Sequence, residues 1–369
     1  MDKIYVTRSS MPSYEEFVEK IKPLWETRRL TNMGTYHKEL EAKLKEYLGV
    51  PHLSLMVNGH MALEMAIQAM DFPEGSEVIT TPFTFISTTH AIVRNRLTPV
   101  FCDINPRDYT IDVDKIEELI TSRTVAIVPV HVYGNICNVE RIEEIADKYG
   151  LKVIYDSCHA FGETYKGKGI GCYGDASVFS FHATKVFNTI EGGAVTFSDE
   201  ELYKKLYNLK NFGIQGEELV VGVGANAKMN EFAAVMGLCN LPEVEKNIAL
   251  RKEKAEAYLE LFQGVQGLIL PDFHRRDIKQ NYGYFPVICP DGDTRDKVYN
   301  NLRQQNIYSR KYFYPLTSQA ECFGEKYAKL PLYIAERISK RVLVLPLYPE
   351  LEYENIERVA EIVKRTIIG

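Results

Sequence analysis

The chain has 369 residues and a net charge of −6, with 45% hydrophobic and 25% charged residues. This length predicts two domains, and the composition is typical of a soluble globular protein. The acidic balance argues against a nucleic-acid-binding protein, which is usually basic. Because no apolar run could span a bilayer and no signal peptide is visible, we expect a cytoplasmic protein with no membrane contact.

The cysteines and histidines also exclude some classes of site. Seven cysteines are scattered along the chain without a CxxC pair, which indicates reduced thiols in the cytoplasm. The eight histidines show no spacing with acids or cysteines that is typical of metal ligands. We therefore expect no metal site.

Two amphipathic helices are predicted before the first strand. In PSYEEFVEKIKPLWETRR, Ser13 and Glu16 form a capping box. The second helix, YHKELEAKLKEYLG, ends at a glycine.

Beyond them, apolar β-branched segments alternate with helical segments, among them VDKIEELI and VERIEEIADKYG. The predicted strands are HLSLMV, EVITTP, TPVFCDI, TVAIVPVHV, KVIYD, DASVFSF and GGAVTFS. This alternation indicates an α/β fold with a mainly parallel seven-stranded sheet covered by helices on both faces.

The pattern changes near residue 244. A long amphipathic helix, ALRKEKAEAYLELFQ, is followed there by the shorter segments YGYFPVIC, TRDKVYNNLRQQN, RVLVLP and YENIERVAEIVKRT. These segments predict a smaller α+β domain. We therefore expect a large domain over residues 1–243, including the helical N-terminal segment, and a small C-terminal domain over residues 244–369.

Chemically useful side chains follow four of the predicted strands, and ligands of open parallel sheets bind outside the carboxyl ends of strands. Gly59 opens a helix whose free N–H groups suit a phosphate. Asp156 ends a buried strand, and Phe85 follows another with a flat apolar face. Ser180 and Lys185 follow a fourth strand. Each residue alone also has a plainer explanation, as a capping aspartate, a core aromatic or a solvated lysine.

Together these residues match the needs of pyridoxal phosphate, which requires a lysine, an acid at the ring nitrogen, a phosphate cup and a ring cover. A nicotinamide dehydrogenase would need GxGxxG after the first strand, and VNGHMA lacks it. A pyridoxal-phosphate lyase or desulfurase on the same fold is an alternative, and a desulfurase would need a mobile reactive cysteine, for which Cys322 is the loop candidate. A non-catalytic sensor on this fold is a further alternative, which the presence of both Lys185 and Asp156 disfavours.

The motifs along the chain resemble those of the DegT-type nucleotide-sugar aminotransferases, a branch of the fold-type I pyridoxal-phosphate transferases. The motifs are NGHMAL, TPFTF, YDSCHAFG, SFHATK, EGGAV, KNFG, GANAKMNEFAAVMGL and LPLYP. The similarity runs from about residue 13 to residue 349, and YDSCHAFG and SFHATK with EGG are its most specific parts. The resemblance implies a homodimer whose active sites are shared between the subunits.

The resemblance also implies roles for individual residues. Lys185 and Asp156 would be catalytic, Lys185 through its covalent link to the cofactor and Asp156 at the ring nitrogen. The other cofactor contacts that it implies are Gly59, His60 and Ser180 at the phosphate, Phe85 on the ring, His159 at the ring hydroxyl, and Asn226 at the neighbouring subunit's phosphate. The candidate substrate-binding residues are His182 at the sugar or cofactor, and Arg310 and Tyr312 at the pyrophosphate.

Three positions depart from the family pattern. His60 stands where threonine or serine is usual, Ile190 where glycine is usual, and Lys228 where arginine is common. None of these changes removes a group that the chemistry requires.

The reaction implied by the resemblance is ping-pong transfer of an amino group from L-glutamate to a nucleotide-linked keto-sugar. Lys185 would act as the base, so we expect its pKa to fall towards neutrality. Related sugar dehydratases carry histidine at this position, so the lysine favours transamination.

The SFHATK segment, followed by an asparagine and EGG, resembles the branch that aminates carbon 4 of dTDP-4-keto-6-deoxy-D-glucose. The product, dTDP-4-amino-4,6-dideoxy-D-glucose, would feed O-antigen or antibiotic sugars. Amination at carbon 3 of a dTDP-3-keto-6-deoxyhexose, or of a UDP-linked keto-sugar, stays open because those enzymes share most of the motifs.

Overall fold

The computed structural model describes residues 3–275 and 277–368. Its strands, in chain order, are β1 (Ile4–Tyr5), β2 (His52–Met56), β3 (Glu77–Thr80), β4 (Thr98–Phe101), β5 (Thr124–Val128), β6 (Lys152–Asp156), β7 (Thr164–Tyr165), β8 (Lys168–Gly169), β9 (Ala176–Ser180), β10 (Gly193–Phe197), β11 (Ile214–Gln215), β12 (Leu219–Val220), β13 (Ile278–Lys279), β14 (Phe285–Ile288), β15 (Ile307–Tyr308) and β16 (Val342–Leu345). Its helices are α1 (Tyr14–Ile21), α2 (Pro23–Thr27), α3 (Thr35–Leu48), α4 (Gly59–Gln68), α5 (Ser87–Arg94), α6 (Val139–Tyr149), α7 (Glu200–Lys210), α8 (Glu231–Asn240), α9 (Val244–Phe262), α10 (Gly292–Gln304), α11 (Glu325–Ala328), α12 (Tyr333–Ser339) and α13 (Tyr353–Ile368).

A seven-stranded sheet forms the centre of the fold, in the spatial order β2-β10-β9-β6-β5-β3-β4. β10 runs antiparallel to both of its neighbours, whereas the other pairs in the sheet are parallel. The predicted α/β fold with a mainly parallel seven-stranded sheet is therefore confirmed, and the seven predicted segments are its seven strands. The parallel strands bring their carboxyl ends to one edge, where a ligand site is expected.

Helix α4 covers one face of this sheet directly behind the first strand. Asn58 is its N-cap, and the Asn58 side chain accepts a hydrogen bond from the Met61 N–H at 2.8 Å. The helix buries six of its ten residues, and a core cluster that includes β2, β6, β9 and β10 side chains packs against it. This packing holds the N-terminus of α4 at the carboxyl edge of the sheet.

Two predicted helices differ in the structure. The first is split into α1 and α2 because Pro23 has no N–H to continue the hydrogen-bond ladder, although Ser13 does cap α1 through the Glu16 N–H at 3.2 Å. The segment VDKIEELI forms only two short 3₁₀ turns, at 113–115 and 117–119.

The C-terminal part has a core of its own, built by α9, α10, α13, β14 and β16. β14 and β16 pair antiparallel, and α9 begins at Val244. We propose the domain boundary at 243/244 on this basis. The N-terminal strand β1 pairs in parallel with β15 and so joins the start of the chain to this C-terminal part. Among the described helices, none combines the length and apolarity needed to cross a membrane.

Candidate active site

A cavity of about 620 Å³ lies at the carboxyl edge of the sheet, and its walls come from the N-terminal segment, the sheet and the C-terminal part. Most of the site residues expected from the sequence line it. They are Gly59, His60, Phe85, Asp156, His159, Ser180, His182, Lys185, Arg310 and Tyr312. Asn226 does not line this cavity.

Lys185 reaches the cavity from the loop that follows β9. Its Nζ donates a hydrogen bond to the Tyr284 hydroxyl at 3.0 Å and lies 5.6 Å from the centroid of that ring. Burial lowers the pKa of Lys185, but Tyr284, Cys158 and Asp156 together raise it by more, so the net pKa lies above that of an ordinary lysine. The expectation of a lowered lysine pKa is wrong for this arrangement.

Tyr284 is held in place by the segment that precedes β14. The Asn281 amide donates hydrogen bonds to the backbone carbonyls of His159 (2.9 Å) and Phe161 (3.0 Å) and accepts one from the Gly283 N–H (2.9 Å). These bonds tie the C-terminal part to the turn after β6. The position of the Tyr284 hydroxyl over Lys185 is therefore set by a buried polar anchor.

Asp156 ends β6 with a buried carboxylate. Its Oδ2 accepts a hydrogen bond from the Thr88 hydroxyl at 2.8 Å, and its Oδ1 accepts one from the Cys158 N–H at 3.2 Å. Only 6% of Asp156 is exposed. A buried carboxylate that is held by two donors at fixed positions is suited to pairing with one cationic ligand atom.

His159 lies beside Lys185 as a neutral imidazole. Its Nδ1 accepts a hydrogen bond from the Tyr133 N–H at 3.0 Å, so Nε2 carries the proton and can donate. Burial, followed by the nearby charge of Lys185, lowers the pKa of His159 well below its ordinary value. Its ring stacks on Phe313 at 5.8 Å between centroids.

The turn from β2 into α4 is packed too closely for side chains. A Cβ added to Gly59 would lie 2.6 Å from the Ser180 Cβ, and one added to Gly193 would lie 2.6 Å from the Asn58 backbone. The free N–H groups of the first turn of α4 and the Ser180 hydroxyl thus face one small cradle that suits an anion.

His60 has two polar neighbours of its own. Its Nδ1 is 2.8 Å from the Ser87 hydroxyl, and its Nε2 is 3.4 Å from the Glu64 carboxylate. The imidazole is therefore already oriented, and its backbone N–H remains the natural contact for an anion.

The rim of the cavity carries the candidate substrate residues. His182 is exposed, with Nδ1 2.8 Å from the Thr184 hydroxyl and Nε2 3.6 Å from the Glu191 carboxylate. Arg310 is exposed while its backbone pairs with Val344. The Tyr312 carbonyl accepts a hydrogen bond from the Tyr133 hydroxyl.

Asn226 lies outside the cavity, exposed, beside a hairpin formed by β11 and β12. Its backbone bridges to Asn211 at the base of the hairpin. The apolar side chains of this hairpin region are exposed: Phe212, Ile214, Leu219, Val220, Val221 and Val223. Within this chain, Asn226 thus does not reach the cavity to which Lys185 belongs.

Several functional residues were not expected from the sequence. Tyr284 and Thr88 contact Lys185 and Asp156 from distant positions, and Tyr5 and Tyr308 line the rim. The motif FTFIST contains no signal for Thr88 beyond its place in the first turn of α5. Cys322, the desulfurase candidate, is exposed and does not line the cavity.

The residues present fit pyridoxal phosphate. The glycine-lined cradle at α4 suits the phosphate, the carboxylate of Asp156 suits a protonated ring nitrogen, and Lys185 opens into the same cavity. The ring of Phe85 is 58% exposed on the cavity wall and offers a flat face for stacking.

Comparisons with known proteins agree with this geometry. Residues 13–364 match the DegT/DnrJ/EryC1/StrS aminotransferase family. One relative, dTDP-4-amino-4,6-dideoxy-D-glucose transaminase of Escherichia coli, is 42% identical over 369 residues, covering 97% of each chain. The expected family is therefore confirmed.

Solved structures support the same fold. DesI, in the presence of its TDP-sugar product, has a TM-score of 0.92 at 33% identity, covering 99% of this chain and 93% of that chain. NtdA from Bacillus subtilis with bound cofactor PMP has a TM-score of 0.87 at 29% identity, covering 96% and 82%. The family and its cofactor-bound neighbours indicate pyridoxal phosphate as the cofactor.

Proposed function

Because the chain belongs to the DegT/DnrJ/EryC1/StrS aminotransferase family, we propose that it moves the amino group of L-glutamate to carbon 4 of dTDP-4-keto-6-deoxy-D-glucose. The product would be dTDP-4-amino-4,6-dideoxy-D-glucose. The observation that carries the proposal is the convergence of Lys185 and Asp156 in one cavity, in a chain 42% identical to a transaminase named for this product.

Pyridoxal phosphate supplies an electron sink for the α-carbon of the amino donor when it is bound. Asp156 holds a proton on the ring nitrogen, because its buried carboxylate is the anionic partner at that position. Gly59, His60 and Ser180 bind the phosphate through backbone N–H groups and a hydroxyl. His159 donates from Nε2 to the ring hydroxyl, and Phe85 covers the ring.

The Nζ of Lys185 accepts the proton that is transferred in the reaction and then gives it up again. The amine must be neutral to accept a proton, and the Tyr284 hydroxyl lies within hydrogen-bonding distance of it. Tyr284 therefore favours the ammonium form of Lys185, and burial favours its neutral form. The balance of the two sets the pH range in which Lys185 works.

The acceptor is held by the rim. Arg310 is the guanidinium on the cavity wall and is assigned to the diphosphate. Tyr312 and His182 also line the cavity and are assigned to the sugar; for Tyr312 this replaces the pyrophosphate contact expected from the sequence. Amination at carbon 3, or of a UDP-linked keto-sugar, would use the same groups and is the alternative substrate assignment.

We propose a homodimer in which the hairpin region carries Asn226 to the phosphate of the neighbouring subunit. The exposed apolar side chains around Val220, itself 65% exposed, support this assembly because such patches usually mark an interface. We also propose a cytoplasmic location, because the scattered cysteines indicate thiols that stay reduced.

The test is to incubate the protein with pyridoxal phosphate, L-glutamate and dTDP-4-keto-6-deoxy-D-glucose, and to analyse the sugar by mass spectrometry and proton NMR. We expect an amine at carbon 4. An unchanged sugar, together with conversion of only one equivalent of glutamate to 2-oxoglutarate per bound cofactor, would refute this acceptor and direct the test to 3-keto and UDP-linked sugars. No conversion of glutamate at all would support the non-catalytic alternative.

Lys185→Ala should abolish both product formation and glutamate conversion, because no other described lysine lines the cavity. Lys329→Ala is the matched control, since Lys329 is 81% exposed in a different part of the chain and should keep full activity. Normal turnover by Lys185→Ala would refute the assignment of the proton-transferring amine.

A further inference from the structure

Two tyrosines meet at the rim of the cavity through the pairing of β1 with β15. Tyr5 and Tyr308 are partners in the parallel register, and their rings stack at 5.3 Å between centroids with an interplanar angle of 24°. Both line the cavity, and Tyr5 is 53% exposed. The pair thus presents a flat aromatic surface that the described residues leave open to solvent.

The chain after Tyr308 contributes further side chains to the same cavity. Successive side chains of an extended segment point to opposite sides, and here Ile307 and Ser309 are buried while Tyr308 and Arg310 line the cavity. Tyr312 also lines the cavity. The cavity wall therefore carries, in chain order, the tyrosine of the stacked pair, a guanidinium and a second tyrosine hydroxyl.

The charge at the rim matches an anionic ligand with an aromatic end. The guanidinium of Arg303 lies 5.9 Å from the centroid of the Tyr308 ring, and Arg310 follows two residues further along. Guanidinium groups recognise phosphates well, and aromatic rings stack on bases whatever the base.

We propose that the stacked pair of Tyr5 and Tyr308 is the platform for the nucleobase of the acceptor. The inference rests on the proposed function only in taking the acceptor to be a nucleotide sugar. The base stacks on the exposed tyrosine surface, the diphosphate meets Arg310, and the sugar extends past Tyr312 to Lys185. Because stacking does not read the base edge, this platform accepts more than one nucleobase.

The test is isothermal titration of the cofactor-loaded protein with dTDP, UDP and GDP, and with inorganic pyrophosphate, which has no base. Tyr5→Leu and Tyr308→Leu keep apolar bulk but lose the flat ring, and Tyr308→Phe keeps the ring. Tyr333→Leu is the control, because Tyr333 is 73% exposed on α12 and outside the cavity.

We expect each leucine variant to weaken binding of the nucleotides about 5-fold or more, since base–aromatic stacking contributes about 1 to 3 kcal/mol. Binding of pyrophosphate should be unchanged in both, which also shows that the site is still folded. Tyr308→Phe and Tyr333→Leu should bind nucleotides as the parent protein does.

Two results would overturn the inference, and they differ in what they say of the proposed function. Leucine variants that bind nucleotides as tightly as the parent protein would refute the stacking platform alone. A parent protein that converts glutamate in a single turnover but binds none of the three nucleotides would refute both the platform and the nucleotide-sugar acceptor.

Discussion

At the scale of single residues, burial and the neighbouring Tyr284 act on the pKa of Lys185 in opposite directions. Burial lowers the pKa of the amine, and the Tyr284 hydroxyl at 3.0 Å is foremost among the groups that raise it. The lysine and Asp156 were predicted from the sequence because each follows a strand of the sheet. Tyr284 was not, because it lies 99 positions from Lys185 and carries no local signal of the contact.

Tyr284→Phe should lower the pKa of Lys185, because it removes the hydroxyl and leaves burial to dominate. The pH at which Lys185 is half-reactive in the cofactor-free protein should therefore fall. It can be measured by acetylation at a series of pH values with mass spectrometry of the Lys185 peptide. The acidic limb of the activity profile should move in the same direction.

Tyr282→Phe is the matched control for that change. Tyr282 belongs to the same segment and packs on Phe273, and it makes no hydrogen bond to Lys185. Its pH profile should equal that of the parent protein. An unshifted midpoint in Tyr284→Phe would show that the hydroxyl does not control the amine.

At the scale of elements, the turn from β2 into α4 combines a helix start with a close contact between strands. The Asn58 cap directs the helix, and Gly59 passes so near Ser180 that no side chain fits. Periodicity predicted both β2 and α4, and the sequence shows Gly59 at their junction. It could not show that Ser180, on β9, occupies the space where the Cβ would be.

Gly59→Ala should destabilise the protein by about 1 to 3 kcal/mol, because its Cβ would lie 2.6 Å from the Ser180 Cβ. It should also weaken binding of pyridoxal phosphate, since the cradle is pushed open. Thermal unfolding and a cofactor titration measure the two effects.

Ser180→Ala separates the steric effect from the loss of the hydroxyl. It adds no atom at the contact, so its unfolding temperature should stay close to that of the parent protein while cofactor binding weakens. If Gly59→Ala kept both the parent stability and the parent affinity, the close packing at this turn would be refuted.

Short elements were the ones that the sequence did not reveal. The two-residue strands β1 and β15 have too few residues to show alternation, yet their pairing forms part of the cavity rim. The segment VDKIEELI has helical periodicity but forms 3₁₀ turns, because tertiary packing outweighs a weak local preference over so few residues.

At the scale of the whole molecule, the hairpin region exposes a group of apolar side chains to solvent. Val220→Asp places a charge where 65% of an apolar side chain is exposed. We expect the proposed dimer to dissociate and cofactor affinity to fall, because Asn226 would no longer reach the phosphate of the neighbouring subunit. Sedimentation velocity and a cofactor titration measure these effects.

Tyr333→Asp is the control for that charge, since Tyr333 is 73% exposed but lies on α12, away from the hairpin. It should leave the assembly intact. A Val220→Asp protein that remained dimeric with full cofactor affinity would exclude the hairpin from the interface.

Acid should destabilise the folded molecule through its buried histidines. Burial lowers the pKa of His131 to about 3, and that of His159 also lies well below its ordinary value. Because the unfolded chain binds these protons near pH 6.5 and the folded chain does not, stability falls as pH drops below about 6.5, by up to about 1.4 kcal/mol per pH unit for each group.

His131→Asn tests this pH dependence while keeping an acceptor for the Cys137 N–H, which lies 3.1 Å from the His131 Nδ1. Urea unfolding between pH 6.5 and 4.5 should show a shallower loss of stability in the variant. The raised pKa of Glu163 acts in the opposite direction in both proteins, so it leaves the comparison unaffected. Equal slopes would contradict the neutral state of His131.

The sequence by itself determined the α/β architecture, the seven strands of the sheet and most of the residues at its carboxyl edge. These follow from local periodicity and from the rule that parallel strands end at one edge. Only the tertiary structure decided that Tyr284 contacts Lys185, that Tyr5 meets Tyr308, and that Asn226 lies outside the cavity. Such contacts join distant parts of the chain, and packing sets their distances, so no local pattern records them.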